Sequence, residues 1–280
     1  ERLGGGLGGG LGGGLGPLRG GITLEGCAAA CALARRSVGR VSLEALMMYP
    51  QLSPRAPEEI AHGGAGVELL QLVERTAYAA LRRTLVGLHM EAAPETTRRY
   101  QQQLRLLSRL TPEKLGLPAA FCAKQRPPSA AVDEGGSKTA ASPHPPYAEA
   151  VLRLQQLPQA TTPERGLGCL VDTCHLVADG AADLGAPPPS ADELVPLIAY
   201  VCIISRVASL PVELSLLQDL STDAQLSGEQ GYALATFQVA LRWLMQLRWD
   251  ELNFETAAGV ASGTHKPPNG VSRSRPSAAR

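Results

Sequence analysis

The chain has 280 residues, 26 acidic and 26 basic, and a formal charge of zero, so no global field draws it to nucleic acid or to an anionic membrane. Hydrophobic residues make up 44% and aromatics only 4%, a balance that fits a core of Ala- and Leu-rich helices better than one of strands. An all-α fold with one good-sized core plus flanks is predicted.

The six cysteines at 27, 31, 122, 169, 174 and 202 sit mostly in apolar or alanine-rich runs with no framework of short paired spacings. Reduced thiols in a cytosolic protein are the expectation. No uninterrupted apolar run reaches the roughly 18 residues of a membrane span, so no direct insertion is expected. No signal peptide is recognised, and a chain opening on Glu1 reads as a fragment.

In chain order, residues 1–21 begin with a four-residue unit carrying three glycines, whose entropy on ordering predicts disorder. Residues 22–62 form a weakly specified lead-in, with a short amphipathic helix over ITLEGCAAACALARR and a Pro-bearing connection around YPQLSPRAPEE. A helical domain is predicted over 63–252. Its first helix places Leu70, Ala77, Leu81, Leu85 and Leu88 on one face, and its second, PETTRRYQQQLRLLSRL, stops at TPEKLGLP. Residues 124–146 are too polar and Pro/Ser/Gly-rich for a core connection and read as a flexible loop.

Five helical stretches follow, at YAEAVLRLQQL, TTPERGLGCLVDTCHLVADGA, SADELVPLIAYV, PVELSLLQDL and GEQGYALATFQVALRWLMQLRW. In the last, Ala233, Phe237, Ala240, Leu244 and Leu247 share a face. Residues 253–280 are a polar, basic tail.

Several motifs favour ordinary readings. GGSKT at 135–139 has serine where a phosphate-binding loop needs its second glycine. His89-Met90-Glu91 has the H-x-E spacing of zinc deaminases without the P-C-x-x-C that completes their site, and reads as a helix end. Cys169, Cys174 and His175 cannot present three ligands to a tetrahedral ion from one helix, so no metal ligand and no cofactor is predicted. Asp192 and Glu193 point about 100° apart on a helix with no nucleophile–base set beside them. Taken alone, both are acids suited to a helix N-terminus, and Tyr232 is a core tyrosine with its hydroxyl at the surface. Yet Asp192 stands four residues ahead of Pro196, which has no amide to give the Asp192 carbonyl.

TTPERGLGCL, SADELVPLIAYV and GEQGYALAT, in that order, resemble the vacuolar protein sorting nine (VPS-nine) family, exchange factors for endosomal Rab GTPases. The family patterns are a T-P-x-x-K/R-L-like turn, A-D-D/E-x-x-P-x-x-x-Y and G-E-x-G-Y-x-x-T. The resemblance covers about 147–250, with the helices from Val67 onward looking like its lead-in. It departs at Gly166, which shifts the basic residue to Arg165, and at Ala235, where the pattern has threonine.

The resemblance implies a layered helical bundle with a preceding helical segment. It implies a guanine nucleotide exchange factor for a Rab-five-subfamily GTPase, cytoplasmic and recruited to early endosomes, with no covalent chemistry and no nucleic-acid partner. By the same resemblance Asp192 is the group inserted near the nucleotide's phosphate site, and Pro196, Tyr232, Glu229 and the 235–236 position (Ala235, Thr236) meet the GTPase. The alternative is an exchange-deficient helical module that binds a GTPase or serves as a scaffold. The preferred Rab and the oligomeric state stay open.

Overall fold

The computed structural model describes residues 21–52, 65–122 and 146–247, and among these every regular element is helical. The glycine repeat, most of the Pro-bearing connection, the 124–146 stretch with GGSKT and the basic tail lie outside the described residues, apart from the edge residues Gly21, Pro146 and those before 53. No single described helix is long and apolar enough to cross a membrane.

The described residues fall into two compact units. The first comprises the described residues from 21 to 95, with 215–220. Helix α1 (Leu24–Met48) starts at Thr23, whose hydroxyl accepts the Gly26 amide at 3.1 Å. It runs 25 residues, well past the short helix predicted, and packs on α2 (Ala65–Ala92). The buried seam of α1 is Cys27, Cys31, Ala34, Val38 and Ser42, a helical spacing carried by small residues. Its large side chains Leu33, Leu43, Met47 and Met48 face outward. The predicted face of α2 is largely observed: Leu85 is buried, with Ala77, Leu81 and Leu88 packed partly buried against the same core, to which Tyr78 also belongs. Leu216 and Leu220 complete this core. The boundary expected near residue 62 therefore does not separate compact units, because the small-residue seam of α1 buries against α2.

The second unit comprises the described residues of 96–214 and 221–247. Helix α3 (Pro94–Leu107) leads into two 3-10 turns, Glu113–Leu115 and Ala119–Phe121, the first ended by Gly116 at φ 80°. The five predicted C-terminal helices are all present: α4 (Ala148–Leu154), α5 (Pro163–Asp183), α6 (Ala191–Ser205), α7 (Leu210–Leu220) and α8 (Glu229–Gln246). Residues 215–220 of α7 group with the first unit. Helix α6 buries Leu194, Leu197, Ile198, Val201, Cys202 and Ile203, so it is enclosed over most of its length. It packs against α8 and α4, while α5 packs against α4 and α8. Ala233, Phe237, Ala240 and Leu244 are the buried face of α8, as predicted, and Leu247 is half-buried just past its end. Arg99 and Gln103 of α3 donate to the carbonyls of Met245 and Leu247 at 2.9 Å, satisfying acceptors left open at that end. All six cysteines are unpaired, and only Cys174 is not fully buried.

Candidate functional site

Most letters of the three motifs are occupied in building helix ends. Thr162 caps α5 by accepting the Arg165 amide at 3.3 Å, and Pro163 takes the first helical position, where its missing donor costs nothing. Gly166 is buried in α5. In the GEQGY turn Gly228 has φ 116°, a conformation open to glycine and strained for other residues. A Cβ on Gly231 would overlap the backbone carbonyl of Leu226, so the second glycine is there for close approach. These residues shape the turns that start α5 and α8.

The start of α6 separates two acids that look alike in sequence. Glu193 closes a capping box: the amide of Ser190 donates to its Oε2 at 2.9 Å and the Ser190 hydroxyl at 2.7 Å. Those two bonds hold its carboxyl below the usual range. Asp192 is exposed one position earlier and has no hydrogen-bond or salt-bridge partner among the described residues. Half-buried Pro196 lies inside the helix and offers no amide to the Asp192 carbonyl. The helix macrodipole favours a carboxylate there, though the cap itself is already made.

Helix α8, packed against α6, presents Tyr232, 54% exposed, with Ala235 and Val239 on the same outward face at steps of three and four. Tyr232 is thus a surface residue and its ring is not in the core. Thr236 has turned inward: it is buried, and its hydroxyl donates to the Tyr232 carbonyl at 2.8 Å. Position 235, an alanine here, is the one that shares the tyrosine's face. Glu229 is engaged as well, with its Oε1 2.7 Å from His175 Nε2 on α5. This pair ties the first turn of α8 to α5, a role for both residues that their separation in sequence hides. Cys169 is a buried thiol with its Sγ donating to the Arg153 carbonyl at 3.1 Å, and burial pushes it up to about 11.

Of the six predicted site residues, Asp192, Tyr232 and Ala235 are exposed on the paired helices α6 and α8, Pro196 is half-buried behind Asp192, and Glu229 and Thr236 are held by internal bonds.

Residues 147–248 match the family model of the Vacuolar sorting protein 9 (VPS9) domain. The chain is 29% identical over 114 residues to "VPS9 domain-containing protein 1" of Homo sapiens, covering 35% of this chain and 18% of that protein. It is 31% identical over 106 residues to "Ras and Rab interactor 3" of Homo sapiens, covering 37% of this chain and 11% of that protein. The chain thus spans less than a fifth of the length of either relative. The helices α4 to α8, with the capped turns and the glycine geometry just described, are the all-α bundle of that family, and residues 147–248 of this chain are a VPS9 domain.

Proposed function

We propose that the chain is a guanine nucleotide exchange factor for a Rab GTPase of the Rab-five subfamily, acting in endocytic traffic at early endosomes. A VPS9 domain supports exchange on Rab GTPases in general, and the name of one relative contains Rab. An exchange factor lowers nucleotide affinity only by as much as it prefers the empty GTPase to the loaded one, because coupling between two ligands is reciprocal. It needs a group that gains a partner when the nucleotide leaves. A GTPase that loses its nucleotide and Mg²⁺ exposes a phosphate-loop lysine, and a carboxylate brought there makes a charge-assisted pair.

The observation that carries the reading is Asp192: an exposed carboxylate in the first turn of α6, without an internal partner, beside a cap that Glu193 has already closed. Pro196 behind it and Tyr232 on α8 supply apolar surface for the switch regions. The reaction is GDP release followed by GTP entry, with no bond made or broken in this chain. The test is a panel of purified Rab GTPases loaded with fluorescent GDP and mixed with the chain. Release is expected to accelerate on a Rab-five-subfamily member, and to slow about a hundredfold or more with Asp192→Ala, the range for removing one electrostatic group acting in the critical state. Release unchanged by that substitution would sink the mechanism.

A second reading, a module that binds a GTPase but exchanges poorly, is favoured by one observation. The outward position 235 lacks a hydroxyl, and the neighbouring Thr236 has spent its own on the Tyr232 carbonyl.

A further inference from the structure

Cys31 of α1, His89 of α2 and Asp219 of the 215–220 segment converge inside the first unit, with one ligating atom from each lying within 4.8 Å of the others. Cys31 and His89 are fully buried, whereas the Asp219 side chain is 21% exposed. The His89 Nδ1 stands 2.8 Å from the Leu85 carbonyl, and a carbonyl only accepts, so Nδ1 carries the proton. Nε2 is left facing Asp219 Oδ2 at 3.0 Å.

That arrangement discriminates between chemistries. A Cys–His–carboxylate relay needs both ring nitrogens, one for the thiol and one for the acid. Here one is committed to the backbone, so the trio cannot work as a nucleophile with its base. A metal-binding histidine needs this very pattern, its far N–H fixed by a carbonyl and its other nitrogen aimed at the remaining ligands, where a metal ion displaces the proton shared with Asp219. Thiolate, imidazole and carboxylate together are a ligand set for zinc rather than for magnesium or calcium.

We propose that Cys31 Sγ, His89 Nε2 and an Asp219 oxygen bind one Zn²⁺ ion, with a fourth position open to water on the Asp219 side. The ion would fasten three segments that lie far apart in sequence, at residues 31, 89 and 219, and its binding energy would add to the stability of this unit.

The test uses the full chain without a histidine tag, stripped with chelator and titrated with Co²⁺. One equivalent is expected to give the visible bands of a tetrahedral ion and a near-ultraviolet thiolate-to-cobalt band, both abolished by Zn²⁺. Cys31→Ser should remove the thiolate band, Cys174→Ser should leave it, and Asp219→Asn should keep the band while weakening Zn²⁺ binding at least about tenfold. Re-adding Zn²⁺ should raise the melting temperature of the stripped chain. No saturable band at one equivalent in the parent chain would overturn the proposal whatever the variants do. So would a thiolate band that survives Cys31→Ser.

Discussion

Ser190, Asp192 and Glu193 show how much one position can mean at a helix start. Ser190→Ala removes half of a capping box and should cost about 1 kcal/mol of stability, with exchange per folded molecule unchanged. The part due to Glu193 is present above the ordinary carboxylate range and fades as pH falls through its lowered value. Asp192→Ala should do the reverse, leaving the melting curve in place while exchange collapses. Thermal melts and GDP-release rates on both variants check the separation. Ala235 and Thr236 form a second such pair. Ala235→Thr puts a hydroxyl beside Tyr232, where one net hydrogen bond to a GTPase is worth roughly a two- to tenfold gain in exchange efficiency. Thr236→Ala loses an internal bond to the Tyr232 carbonyl, so its effect should appear in the melting temperature and little in the rate. Should Thr236→Ala be the variant that slows exchange at matched stability, the buried hydroxyl would be the functional one.

Helix ends were more legible than helix interiors. The T-P pair, the Ser-x-x-Glu box and the glycines of GEQGY announce α5, α6 and α8 because each has a local physical job, and the buried face of α8 follows from its large apolar residues. Helix α1 extends past its sequence signals for the opposite reason. Its seam consists of Cys27, Cys31, Ala34 and Val38, while Leu33, Leu43 and the methionines face outward, so a scan weighted to large side chains finds little periodicity. The Glu229–His175 pair and the Cys31–His89–Asp219 trio were invisible because their members meet only through tertiary packing. The resemblance singles out Asp192, and the cap geometry separates its free carboxylate from the engaged one of Glu193. At this scale Gly231→Ala is the sharpest check. Its Cβ would meet the Leu226 carbonyl, so the turn must open, at a cost of about 1–3 kcal/mol. Because that turn sets the start of α8 and the placement of Tyr232, exchange should fall together with the melting temperature, whereas an unchanged melt would deny the close approach.

Across the molecule, the family match and the compact units divide the chain differently. The match takes in all of α7, but Leu216 and Leu220 are buried in a core otherwise made by α1 and α2. A fragment limited to residues 147–248 should therefore expose both leucines. It is expected to be less soluble than residues 22–248, and Leu216→Ser with Leu220→Ser should restore solubility to the short fragment but destabilise the long one. Light scattering and melting curves on the four proteins decide it; equal behaviour of the two parent fragments would contradict the shared core. The consequence reaches into descent. A stretch copied or recombined at the edges where its sequence is recognisable would arrive in a new setting with a greasy helix end and nothing to cover it. The piece able to bury that helix end is thus larger than the recognisable one, since α1 and α2, which carry none of the three family motifs, supply the cover for Leu216 and Leu220.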